Sequence, residues 1–311
     1  MKGLEEAKRF YMECGAPMIE REFGEYVGRI AVGLAGHGSE CFGFDDEISR
    51  DHDFETGFCM WLTREDEAAI GFKLTRAYDR IKSEYCGARL EHTSAIGANS
   101  QGVSIIGDFY RRYTGCDGAP ATLKDWLFTE SAYFAEAVNG EVFRDDLGEF
   151  SKIRERIANG MPEDVRLKKI AAAAVRMAQT GQYNYPRCIA HGEEGAAALA
   201  LCEFVRNACE MIFLLNKKHC PYFKWTFRAL RQLDILSEMC APLEFLLTAD
   251  NDETGRKVKR EIVEDIALAV ADELKNQGLA DCEGNYLEPY GFAIQKRIKN
   301  AELRNMHVLV G

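Results

Sequence analysis

The sequence predicts an α+β protein in two parts: an N-terminal sheet with flanking helices over residues 1–119, followed by an all-helical C-terminal domain over residues 120–311. Three observations predict it. A chain of 311 residues exceeds one typical core and suggests two domains. Short apolar runs at residues 30–34, 58–62 and 103–106 read as strands, separated by helical patterns. From Leu123 onward strand-like alternation fades and helical periodicity dominates, with Gly115–Pro120 as the one plausible boundary.

Taken in order, residues 3–27 predict a helix with apolar Leu4, Phe10, Tyr11, Met18 and Phe23, broken at Gly15-Ala-Pro17. The strand Ile30–Leu34 runs into Gly36-His-Gly-Ser-Glu40, a polar connection, and a second apolar run from Phe58 to Leu62. Thr63 is an N-cap for a helix to about Tyr85, with Glu65, Asp66 and Glu67 complementing the dipole of its first turn. Residues 86–102 read as loop, Val103–Ile106 as a third strand, and Asp108 as the start of another helix. Beyond the boundary the periodicity predicts helices at 122–138, 148–158, 162–181, 191–216, 222–236, 238–249, 254–277 and 289–304. In one of them Ile262, Ile266, Val270 and Leu274 share a face and Gly278 stands at the C-terminal cap.

The chemistry concentrates between Ala31 and Trp61. Asp51 and Asp53, one residue apart at the opening of a strand, point to the same face of the sheet. Two like charges roughly 5–7 Å apart on a pleat repel unless a cation sits between them. A hard divalent ion suits them: Mg2+, or Mn2+ in its place, takes one or two carboxylates plus substrate phosphates. Gly38 and Ser39 would admit a phosphate to backbone N–H groups and a hydroxyl without a bulky side chain in the way. Arg50 would neutralise phosphate, or instead pair with Asp45 or Asp46; His52, between the two acids, faces the other side of the strand. The plainer reading of Asp51 and Asp53 is a solvated acidic turn that includes Asp45, Asp46 and Glu47.

Gly38-Ser39, eleven residues and then Asp51-x-Asp53 resembles the signature of the nucleotidyltransferase (polymerase-beta-like) superfamily. The longer string from Gly36 to Asp53, G-x-G-S-E-x-x-G-F-D-D-E-x-S-R-D-H-D, is similar to the DUF4037 family. That resemblance continues through Asp125-Trp-Leu127, Gly140-Glu-Val-Phe143 with Asp145, Asn216 and Pro221-Tyr-Phe-Lys-Trp225. It implies a nucleotidyltransferase-like mixed sheet, ATP or another NTP as substrate, and transfer of NMP, AMP foremost, to a hydroxyl-bearing small molecule or protein. The superfamily often carries a third carboxylate as second metal ligand or general base. Glu91 is preferred here, Asp108 is its rival, and Glu193 or Glu194 are alternatives from the helical half. Arg187 and Lys224 would reach the triphosphate, and Tyr222 or Trp225 would stack on the base. Against this, Phe223, Trp225 and Phe227 read equally well as core and Lys224 as a surface lysine.

Composition narrows the alternatives. A net charge of −11 argues against a broad nucleic-acid surface and makes a nuclease the least favoured reading. No apolar run approaches the roughly 18–20 residues that span a bilayer, and the amphipathic, acidic N-terminus lacks a signal peptide's apolar core. The eleven cysteines form no C-x-x-C pair; Cys59, Cys202 and Cys209 are expected as buried free thiols, and the protein as cytoplasmic. The rival to an enzyme is a nucleotide-binding or protein-interaction module with little or no transfer activity.

Overall fold

The computed structural model describes residues 2–46, 56–86 and 101–311. The chain divides into two compact units: Met1–Asp125 with Ala132–Gly160, and Trp126–Ser131 with Met161–Gly311. The fold is α+β, with a four-stranded mixed sheet in the first unit and helices throughout the second.

The strands are β1 (Ala31–Leu34), β2 (Cys59–Leu62), β3 (Gly102–Ile105) and β4 (Glu141–Arg144), in spatial order β3-β2-β1-β4. β1 pairs antiparallel with β2 (Gly33 opposite Cys59) and with β4 (Leu34 opposite Glu141), whereas β2 and β3 run parallel (Cys59 opposite Gly102). Helices cover both faces, which is why β1 and β2 are apolar throughout instead of alternating. Val32, Phe58, Met60 and Leu62 share a cluster with Phe10, Met18, Leu74 and Tyr78 from the helices on either side of β1 and β2 in sequence. Trp61 belongs to another packing group: it stacks on Phe150 at 3.8 Å between ring centres and meets Phe109 edge-on.

β4 is a departure from the expected all-helical run after residue 120. Residues 132–160 belong with the sheet, so the compact units do not part at residues 119 and 120. The expected helix 122–138 is two helices, Leu123–Phe128 and Ser131–Val138, and the division between units falls beside that gap. The first helix also differs from expectation at Gly15-Ala-Pro17. Gly3–Phe10 and Ala16–Glu22 are joined by a π-turn over Tyr11–Gly15, in which the Ala16 N–H reaches back to the Tyr11 carbonyl. One widened turn absorbs the N–H that Pro17 lacks, so the helix continues through it. Thr63 caps as expected, accepting the Asp66 N–H at 3.1 Å. Asp66 itself is buried against Arg29 (2.8 Å) and serves that ion pair in addition to the helix dipole.

In the second unit the helices are Glu163–Met177, Tyr185–Ala190, Glu194–Leu215, Phe223–Leu230, Cys240–Thr248, Glu253–Asn276, Leu287–Lys296 and Ala301–Asn305. The sequence pattern overran at Leu230 and at Lys296, where the chain turns before Ser237 and Ala301. Ile266, Val270 and Leu274 are buried as the stripe predicts, with Ile262 half-buried, and Gly278 takes φ +63° just past the helix. Among the described residues no helix is long and apolar enough to cross a membrane. Cys59 and Cys209 are buried free thiols, whereas Cys202 is exposed, against expectation.

Candidate functional site

The register decides what can gather in the sheet unit. The C-terminal end of β1 lies beside the N-terminal ends of β2 and β4, and β3 starts beside β2. One end of the sheet therefore carries the Gly36–Ser39 turn that leaves β1 and the residues through which the chain arrives at β2 and β3. Asp51, Asp53 and Arg50 lie in the stretch before β2, and Glu91 in the stretch before β3; all four fall outside the described residues. Asp108, the rival third acid, follows β3 at the opposite end of the sheet, about 13 Å of strand away. It pairs there with Arg111 at 2.7 Å, which removes it from this end.

The turn itself is held from two sides. Asn139 clasps Gly36, accepting its N–H at 2.8 Å and donating its Nδ2 to the Gly36 carbonyl at 2.7 Å. Gly140 closes the corner: its N–H donates to the Cys41 carbonyl at 2.7 Å, and its Cα comes so near β1 that a Cβ would sit 1.9 Å from the Leu34 oxygen. Gly38 has φ +127°, a backbone state that a side chain would strain. The Ser39 carbonyl accepts the Phe42 and Phe44 N–H groups, while its hydroxyl caps nothing in the short helix that follows. The Glu40 carboxylate folds back so that a Cβ on Gly38 would lie 2.4 Å from its Oε1. A phosphate approaching Gly38 would meet that charge, so binding there needs Glu40 to swing out or a cation to stand between them.

Beside the turn, His37 Nδ1 faces Glu136 Oε1 at 3.2 Å. Glu136 is only 8% exposed, on the last turn of the Ser131–Val138 helix, while 64% of the His37 side chain is open to solvent. Beneath them burial pushes the thiol of Cys41 and the phenol of Tyr113 well up, so neither carries charge near neutrality. Sequence reading did not single out His37 or Glu136. A histidine between two glycines directly after a strand was the available signal for His37, but nothing local pairs it with a residue 99 positions away.

Both described flanks of residues 47–55 are moored to the first helix. The Gly3 N–H donates to Asp45 Oδ2 at 2.8 Å, Lys2 Nζ donates to the Gly43 carbonyl at 2.6 Å, and Thr56 Oγ1 donates to Glu6 Oε1 at 3.0 Å. Asp45 thus serves as a helix-terminal acceptor. Among the described residues no group of three or more His, Cys, Asp or Glu is arranged to hold a metal ion. A metal reading therefore rests on Asp51 and Asp53.

In the second unit Arg187 and Lys224 are exposed, each laid over its own neighbour's ring, Tyr183 at 5.1 Å and Trp225 at 6.0 Å. Trp225 is core at 4% exposure and cannot stack on a base, whereas Phe223, expected as core, is 74% exposed beside the half-open Tyr222. Glu194 pairs with Arg256 at 2.5 Å, and the Glu193 carbonyl accepts the Ala197 N–H as the helix begins. Asn216 ties the end of Glu194–Leu215 to Ile235, donating to its carbonyl at 2.9 Å and accepting its N–H at 3.0 Å.

The class defined so far is an α+β protein with a glycine-lined turn at the end of a mixed sheet. Residues 126–226 match the family model of DUF4037, a domain of unknown function. That match includes Gly140–Phe143, Asp145, Asn216 and Pro221–Trp225; the turn and Asp51-x-Asp53 lie outside it. No curated protein and no solved structure matches the chain.

Proposed function

We propose that the chain is a Mg2+-dependent nucleotidyltransferase that moves NMP, AMP foremost, from an NTP to a hydroxyl of a small molecule or protein and releases pyrophosphate. The observation that carries this reading is the sheet register. It sets the Gly38-Ser39 turn at the end of the sheet where the chain arrives at β2, a few residues after Asp51 and Asp53. Gly38 and Ser39 would receive the β- and γ-phosphates, and Arg50 would offset their charge. Asp51 and Asp53 would hold Mg2+, which when bound supplies charge neutralisation at the phosphates and orients them for in-line displacement. Positioning and electrostatics would supply most of the acceleration, since transfer at phosphorus asks for little covalent help.

The test combines Asp51→Asn with thermal shift and pyrophosphate release, using each NTP with Mg2+. The wild-type protein is expected to gain melting temperature with one NTP and to release pyrophosphate. Asp51→Asn should lose both, with its melting temperature in the absence of Mg2+ unchanged or raised, because one of two repelling charges is gone. A variant that unfolds instead makes the pair structural and ends the reading. NTP binding without pyrophosphate release across a wide acceptor panel supports the binding-module alternative.

A further inference from the structure

We infer that the helix Phe223–Leu230 and the chain entering it form a docking surface for single-stranded nucleic acid, with exposed rings that stack on bases and lysines that meet the phosphates. The inference stands on the helical unit alone and does not depend on the transferase reading.

Charge singles the segment out. The chain carries a net charge of −11, yet from Met211 to Leu233 it has no Asp or Glu, while Lys217, Lys218, Lys224, Arg228 and Arg231 all fall in that window. Arg231 is taken by Glu244. Lys217, Lys218 and Lys224 are exposed and pair with no carboxylate among the described residues. A local positive patch on an acidic protein draws an anionic partner to that patch and keeps it off the rest of the surface.

The helix sorts these residues by face. At about 100° per residue, Phe223, Phe227 and Arg231 form one row and Lys224 and Arg228 the row beside it. Trp225, Thr226 and Leu230 fall on the remaining face, and all three are buried. Phe223 is 74% exposed and Tyr222, directly before it, 44%, with ring centres 4.2 Å apart; Phe227, one turn on, is half-buried. The Lys224 ammonium lies 6.0 Å from the centre of the Trp225 ring. The connection that carries Lys217 and Lys218 is held at both ends. The Lys218 N–H donates to the Phe213 carbonyl at 2.9 Å, and the Cys220 N–H donates to Ser131 Oγ at 2.8 Å. The surface is thus built before any partner arrives, which spares the cost of ordering it.

The mixture of groups selects the partner. An acidic peptide would satisfy the lysines and leave the rings unused. A bilayer anchor buries a broad apolar face, and two exposed rings with a third half-buried do not make one; the one leucine of the helix, Leu230, is buried. A single strand uses both features, since each base presents a flat π face whatever its identity and the phosphates recur along the backbone. Eight helical residues span about 12 Å, the length of roughly three or four stacked nucleotides at about 3.4 Å each. Base faces are hidden in a duplex, so the rings favour the single strand.

The experiment follows the fluorescence anisotropy of a labelled oligouridylate of about twelve nucleotides with the full chain, over about 50–200 mM KCl. A duplex of equal length, phosphatidylserine vesicles and poly-glutamate are measured beside it. The wild type should hold the single strand more tightly than the duplex. The logarithm of its association constant should fall against log salt with a slope of about −2, from about 0.7 for each of three lysines. Phe223→Ala should weaken binding about 5- to 150-fold at unchanged slope, because a stacking ring carries no charge. Lys224→Met should make the slope shallower by about 0.7. Both side chains are exposed, so urea unfolding of the variants should match the wild type, and Tyr222→Ala repeats the stacking test if Phe223→Ala folds poorly. A wild type that holds no single strand at any of these salt concentrations overturns the inference. So does binding indifferent to Phe223→Ala and Lys224→Met, or a duplex held as tightly as the single strand. Vesicles or poly-glutamate held instead, with the same dependence on these side chains, give the face to another partner and overturn it likewise. None of these outcomes bears on nucleotidyl transfer, which Asp51→Asn tests separately.

Discussion

Gly140→Ala tests the corner that shapes the candidate site, and Gly148→Ala is its control. Both glycines have φ +69° and both belong to the sheet unit. At Gly148 the nearest atom to an added Cβ is the flexible end of Lys152 at 3.7 Å. That substitution should cost only the left-handed backbone, about 1–2 kcal/mol, less about 0.4–1 kcal/mol returned by a stiffer unfolded chain. At Gly140 the same methyl would lie 1.9 Å from the Leu34 oxygen, 2.9 Å from its carbon and 3.1 Å from Ala35 Cα. Backbone atoms cannot turn aside as a side chain does, so β1 and β4 must part by an ångström or more. That adds an overpacking penalty of about 1–3 kcal/mol and puts at risk the Gly140–Cys41 hydrogen bond, worth about 1 kcal/mol. The expected loss for Gly140→Ala is about 2–5.5 kcal/mol, against about 0–1.5 kcal/mol for Gly148→Ala. Urea unfolding at 25 °C, read by far-ultraviolet circular dichroism, measures both. Equal losses would refute the close approach of the two strands, and with it the account of how the turn is held.

Two further predictions concern the helical unit. Lys168 is fully buried and donates to Gln295 Oε1 and the His307 and Val308 carbonyls, none of them anionic, and burial lowers its pKa to about 8. Its unfolded value is near 10.4. Between those values the unfolded chain binds the extra proton, so this residue makes stability rise with pH from about 8 to about 10. Melting curves of Lys168→Met should lack that rise when subtracted from the wild type; parallel pH dependences would contradict it. Asn216→Ala removes a three-bond tie between Ile212 and Ile235 and should cost about 2 kcal/mol in urea without changing NTP binding. A selective loss of NTP binding would give Asn216 a role beyond holding the fold.

How much the sequence shows depends on how local the cause is. The strands at residues 31–34 and 59–62 stand out because burial on both faces makes them apolar end to end. The long helices stand out because their stripes run several turns. β4 does not: Glu-Val-Phe-Arg is four half-exposed residues, legible only from its pairing with β1. The π-turn at Tyr11–Gly15 looks in sequence like a helix break, since proline marks both. At the site, Gly38 and Ser39 advertise themselves by composition and spacing. The His37–Glu136 contact and the Asn139 clasp join residues about a hundred positions apart, so only the folded chain reveals them. Three residues inside the matched span serve the fold. Gly140 makes room, Asp145 accepts the Gly148 and Ser151 N–H groups at the head of a helix, and Trp225 fills a core. A recurring motif can thus record what a fold needs in order to close.

The aromatic stack behind β2 also makes the molecule easy to observe. Of the three tryptophans, Trp61 lies in the sheet unit, against Phe150, while Trp126 and Trp225 lie in the helical unit; all three are shielded from water. Each compact unit therefore carries an intrinsic fluorophore of its own. Replacing Trp126 and Trp225 by phenylalanine leaves an emission that follows only the half containing the glycine-lined turn, with no label attached.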